Sequence, residues 1–131
     1  MTTKLLSLIL FVSILNSCVT EPNNEYKEYV IEVDKFSFTD TVSVDDSVNF
    51  YFDGIVGTSG CYQFKRIQSL ITTDQIHFVV YGEYPSFDTA CSGEMLYLDE
   101  TKKLKFWQKG TYEVVVHQPD NSMMIDTIIV K

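Results

Sequence analysis

From residue 29 onward, apolar and polar positions alternate with a period of two, the spacing of a strand that buries one face. Residues 29–33 (YVIEV) are rich in β-formers and predict a first strand. Alternation returns at 36–38 and 41–44, and Asp45-Asp46 supplies a turn. Residues 47–52 predict a strand with Val48, Phe50 and Phe52 on one face, ended by Asp53-Gly54. Residues 61–67 predict another. Cys61, Gln63, Lys65 and Ile67 share one side and Tyr62, Phe64 and Arg66 the other, so neither face is cleanly apolar and the strand belongs near an edge. After a turn at Thr73-Asp74, residues 75–82 put Ile76, Phe78 and Val80 inward and His77, Val79 and Tyr81 outward. Residues 83–90 read as a loop, 95–98 as a short strand, 99–103 (DETKK) as a solvated charged turn, and 104–106 as strand again. Residues 109–116 and 123–130 close the chain as strands around a turn at Gln118-Pro119-Asp120-Asn121. No amphipathic helix and no internal repeat stands out. Turns every 8–12 residues across 28–131 predict an all-β fold, a two-sheet antiparallel sandwich of about seven to nine strands.

The first residues follow a different rule. Lys4 precedes an 11-residue, mainly apolar run from Leu5 to Leu15. That is too short for a transmembrane helix and suits the core of a signal peptide. The run ends in Leu15-Asn16-Ser17-Cys18. This string resembles the lipobox of bacterial lipoproteins. The resemblance implies cleavage of residues 1–17 and lipid on Cys18, whose several acyl chains would anchor the protein to a membrane. Val19 stands where inner-membrane lipoproteins carry Asp, so the expected address is the outer membrane, periplasmic or surface-facing. Residues 18–27 then read as the lipidated cysteine and a flexible tether.

Composition narrows the options. The chain has 131 residues, enough for one domain with a good core, and 45% are apolar, which excludes a disordered chain. Net charge is −8, and without Lys4 nine basic side chains face 18 acidic ones. Such a surface has no basic stripe for phosphates, which argues against nucleic acid. It argues equally against electrostatic docking on anionic lipid. Two cysteines, Cys61 and Cys91, remain in the body of an exported chain, and the oxidising compartment predicts a disulfide between them. Two free buried thiols are the alternative.

Leu104 and the run Gly110-Thr111-Tyr112-Glu113-Val114-Val115-Val116, followed by a hairpin, resemble the end of immunoglobulin-like and fibronectin type III-like domains. The resemblance implies that the Tyr112 ring packs inward and that its hydroxyl bonds upstream backbone. Two features depart from it. Cys61 and Cys91 flank the centre of the chain, so their bridge is of a non-immunoglobulin type, and Trp107 lies off the central strand. The whole also resembles the small single-domain lipoproteins that Gram-negative bacteria export, a likeness that implies no activity.

Catalytic and ligand motifs are weak. The glycines of 54–60 precede a strand rather than a helix, so they predict a turn that brings Cys61 to Cys91, not a phosphate loop. His77 and His117 each stand without a second ligand at metal spacing, and Cys-x-x-Cys is absent, so no metal and no cofactor is expected. Asp45-Asp46 and Asp99-Glu100 are neighbours whose side chains point apart. No enzyme is foreshadowed. Aromatics, at 14%, are the class in excess. Tyr81, Tyr84, Phe87 and Trp107 are the candidate contacts for a ligand or partner, the first three in the stretch 81–87 inside the segment the disulfide would close. The expected function is a lipid-anchored, non-catalytic binding or structural module of the envelope. Its partner would be an envelope protein, or a glycan if the exposed rings make it a carbohydrate-binding module.

Overall fold

The computed structural model describes residues 25–131. The leader, Cys18 and most of the expected tether lie outside the described residues. Nine strands follow in order: β1 Tyr26–Val30, β2 Val33–Ser37, β3 Thr41–Val42, β4 Ser47–Gly57, β5 Gln63–Ile71, β6 Gln75–Pro85, β7 Leu96–Lys105, β8 Gly110–His117 and β9 Met123–Val130. They form a six-stranded and a three-stranded sheet, and the described residues contain no helix. The all-β sandwich expected from the periodicity is the fold. It is mainly antiparallel, with β6 to β8 and β3 to β9 paired in parallel.

The six-stranded sheet is built on β6. β5 runs along one side of it. On the other side β1 pairs its second half, from Val30 against Tyr81 to Tyr26 against Pro85. β8 pairs its first half, from Gln75 against Glu113 to Phe78 against Val116. β9 and β3 continue outward from β8. The second sheet has the order β2-β4-β7. Val48, Phe50 and Phe52 of β4 meet Ile76, Phe78 and Val80 of β6, all buried as their alternation requires. Phe78 is the hub, with ring centroids 4.9 Å from Phe50 and 5.2 Å from Phe52.

Several boundaries differ from the sequence expectation, each for a local reason. The first strand begins at Tyr26, ahead of the strand expected from residue 29, because β1 finds its partner in the last residues of β6. The single strand expected at 29–33 is two, β1 and β2, in different sheets. The chain crosses between them at Ile31 and Glu32, with the Ile31 amide donating to the Val80 carbonyl at 2.8 Å. Asp53-Gly54 does not end β4. Gly54 lies opposite Val33, where a Cβ would come within 2.5 Å of the Glu32 carbonyl oxygen, so glycine serves the crossover rather than a turn. The expected loop from 83 is strand as far as Pro85. The expected charged turn at 99–103 is the middle of β7, paired with β4 throughout. Here Glu100 and Lys102 take the inward positions of an edge strand, where long stems can cover apolar surface while the charges reach water. Cys61 precedes β5, and a bulge between Phe64 and Arg66 lets Phe64 and Ile67 share the inner face, against simple alternation. β5 is an edge strand, as its mixed faces predicted.

The turns at Asp45-Asp46 and at 118–121 both form. Asp45 (φ 72°) and Asn121 (φ 65°) adopt the left-handed conformation that these residue types tolerate. At the start of β8, Gly110 takes φ 154°, and Tyr112 buries its ring against Phe106 with 5.2 Å between centroids. The Tyr112 hydroxyl donates to the Gln108 carbonyl at 3.1 Å, the upstream bond the resemblance implied.

Candidate functional site

Cys61 and Cys91 form the disulfide, with their Cα atoms 5.3 Å apart. The bridge joins the β4–β5 and β6–β7 connections at one end of the sandwich. Gly60 permits this approach: its amide donates to the Ser92 carbonyl at 3.0 Å, and a Cβ there would lie 2.2 Å from Ser92 Oγ. Tyr29, Tyr62 and Tyr84 form a three-ring cluster beneath, with centroids 5.6–5.9 Å apart. The Tyr29 hydroxyl donates across to the Val56 carbonyl of the other sheet. Burial, with Tyr62 adding to it, pushes the Tyr29 phenol up to about 12. A shallow cleft of about 270 Å³ opens here, lined by Cys61, Tyr62, Tyr84, Phe87, Asp88 and Cys91 among others.

The four aromatic candidates do not make one site. Because β6 continues to Pro85, alternate residues of the expected loop face opposite ways. Tyr84 turns inward to the tyrosine cluster, and Phe87 packs edge-on against Tyr26 at 5.7 Å. Tyr81 points to the outer face, where the Arg66 guanidinium lies 4.3 Å over its ring. Arg66 belongs to a charged network there. Its guanidinium donates to both Glu28 oxygens, and Lys65 reaches Glu28 at 3.2 Å and Glu83 at 3.0 Å. Bonding to Arg66, and then to Lys65, holds the Glu28 carboxyl down at about 2.

Trp107 stands at the opposite end, 71% exposed, with the Lys105 ammonium 4.5 Å from its ring centroid. Ile71, Thr72, Gln108 and Tyr112 join it around a groove of about 210 Å³. A larger, polar groove of about 480 Å³ lies at the same end, with Asp46, Asn49, Tyr51 and Lys131 among its lining residues.

One constellation was not legible in the sequence. The sequence leaves His77 and His117 as two separate residues, each without a second ligand at metal spacing. The parallel pairing of β6 with β8 brings them together on the outer face, His77 Nδ1 lying 2.9 Å from His117 Nε2. The ring centroids are 5.2 Å apart and the planes differ by 22°, so the rings meet edge to edge in nearly one plane. The proton positions follow from the neighbours. The Glu113 carboxylate accepts from Gln75 Nε2 at 2.9 Å, which turns the Gln75 carbonyl oxygen to His77 Nε2 at 3.0 Å. That oxygen only accepts, so His77 Nε2 carries the hydrogen. In a neutral imidazole Nδ1 is then the acceptor, and His117 Nε2–H donates to it. The four side chains form one directional chain of hydrogen bonds ending on a carboxylate, each polarising the next. Exposed Leu70, Met123 and Ile125 stand on the same face. The sequence placed His77 on an outward strand position and left His117 just beyond a strand; the sequence separation of 40 concealed the contact. Among the described residues no three metal-ligating side chains gather at one place.

Comparison of the chain with protein families, curated proteins and solved structures finds no match.

Proposed function

We propose that the protein is a lipid-anchored module of the cell envelope that binds or supports another envelope component without catalysis. The observation that carries this is the closed Cys61–Cys91 bridge at an exposed end of the domain. An accessible disulfide persists in an oxidising compartment and is reduced in the cytosol, which agrees with the leader and with lipid on Cys18. A binding role is supported by apolar side chains held on the outside of a rigid sandwich: Trp107 over its groove, and Leu70, Met123 and Ile125 around the imidazole pair.

The test is expression from the native leader in a Gram-negative host. The processed protein should begin at Cys18, carry acyl chains by mass spectrometry and sediment with outer membranes, and Cys18→Ser should abolish all three. Cross-linking of intact envelopes should then capture a discrete partner. An unlipidated, soluble product removes the anchor, and a lipidated protein that cross-links to nothing removes the binding role. The exposure of Trp107 favours one second reading, a carbohydrate-binding module stacking a sugar on the open side of that ring. A glycan array on which wild type and Trp107→Ala give the same empty result eliminates it.

A further inference from the structure

The domain has two distinguishable ends, and the chain enters at only one of them. β1 begins at Tyr26 opposite Pro85, and the Glu25 carbonyl accepts from both the amide and the hydroxyl of Ser86, at 2.8 and 2.6 Å. This is the end closed by the disulfide. Seven residues, 19–25, separate Cys18 from Tyr26. Fully extended, that link reaches about 28 Å. The 11 residues of β4, ten steps of about 3.3 Å, alone span about 33 Å between the ends. A domain standing on its Trp107 end would therefore lift Tyr26 beyond the reach of a lipid on Cys18. Inverted orientations are excluded; upright and reclining ones are allowed.

The side chains at the entry end choose between those two. Tyr26, Ile55, Met95 and Tyr97 are all exposed there, Tyr97 at 72%. Ile55 and Tyr97 are direct cross-strand partners on the outside of the three-stranded sheet. Lone exposed apolar residues are ordinary, but two tyrosines and two aliphatic side chains round one rim suit the boundary between headgroups and acyl chains, where tyrosine is enriched. Glu25, Asp88 and Glu94 are exposed at the same end and outnumber the exposed Lys27 beside Tyr26, so the matching surface is zwitterionic rather than anionic.

We propose that this disulfide-closed end rests on the bilayer as a second, non-covalent contact, its rim of Tyr26, Ile55, Met95 and Tyr97 seated at headgroup level. The proposal rests on lipidation of Cys18. It adds a fixed orientation: the Trp107 groove points away from the membrane, and the imidazole face, on the flank of the sandwich, stays open to whatever the module binds.

The single tryptophan provides the test. Mature lipidated protein is reconstituted in phosphatidylcholine vesicles containing a phosphatidylcholine brominated near the carboxyl end of its acyl chains, which quenches rings seated at the headgroup–acyl boundary. Wild type reports from Trp107, and Y97W in a W107F background reports from the rim; both positions are exposed, so neither change disturbs packing. We expect unchanged Trp107 fluorescence and about a twofold loss at Y97W, as for a ring at headgroup depth. Lipidated, vesicle-bound protein with neither reporter quenched, or with Trp107 alone quenched, overturns the orientation and leaves the anchor standing. Protein without lipid on Cys18 by mass spectrometry overturns both.

Discussion

At the scale of single residues, two side chains tie stability to pH in opposite directions. Tyr29 sits among Tyr62 and Tyr84 with its hydroxyl donating to the Val56 carbonyl. Its phenol is raised from 10.0 to about 12, so folding favours the protonated form. That contribution is complete below pH 10 and is lost as pH rises toward 12. Tyr29→Phe should cost about 1 kcal/mol at neutral pH, the usual net value of one hydrogen bond, and should flatten the alkaline limb of stability between pH 9 and 12. Urea midpoints across that range check it. Glu28 behaves oppositely. Arg66 and Lys65 hold it at about 2, below its ordinary 4.5, so folding favours the carboxylate. Its contribution is present above pH 4.5 and fades as pH falls toward 2. The group is solvent-exposed, so the effect is small and salt-sensitive. Glu28→Gln should lessen the loss of stability between pH 5 and 2, and the difference from wild type should shrink in 1 M salt. The histidine pair gives a different readout at this scale. Nitrogen-15 correlation spectra at neutral pH should show both His77 and His117 as Nε2–H tautomers, and Gln75→Ala should release that preference at His77.

At the scale of elements, what was legible depended on whether one strand carried its own pattern. The alternation at 47–52 and 75–82 identified β4 and β6 and their inward residues, because these central strands bury every second side chain completely. It misread 99–103, because β7 is an edge strand whose inward positions tolerate Glu100 and Lys102. It merged β1 with β2, because residues 29–33 are β-formers throughout and nothing local marks a change of sheet. The mark lies 21 residues past Val33, in Gly54, which seemed a breaker and is the seat of the crossover. Gly54→Ala tests this directly. A methyl group there meets the Glu32 carbonyl, a backbone atom that cannot swing aside, so the cost should be about 1–3 kcal/mol, the range for overpacking. Hydrogen exchange should quicken first at the Ile31 amide, which holds the crossover to Val80. If Gly54 were a mere turn residue, alanine would be tolerated and Ile31 would stay protected.

At the scale of the molecule, the sequence indicated two ring-bearing regions but not their separation. Trp107 lies 23 residues past Tyr84 and 20 past Phe87, yet β7 runs the length of the sandwich between them and carries Trp107 to the other end. The histidine pair was hidden by the inverse effect, a parallel crossover that joins residues 40 apart. The disulfide connects these scales. It closes a separation of 30 residues, so on the chain-entropy account its loss should cost roughly 3–4 kcal/mol. For a domain of about 100 residues that lowers Tm by about 15 °C or more. The bridge touches only the entry end, and its main action is on the unfolded chain, so the folded Trp107 end should not register its absence. The C61S/C91S variant should therefore melt early while retaining the His77–His117 tautomers. Its exchange should rise selectively at the Gly60 amide, which depends on the paired loops. Loss of the histidine signature below the melting transition would mean instead that the bridge shapes the native sheet itself, and that the two ends are mechanically one.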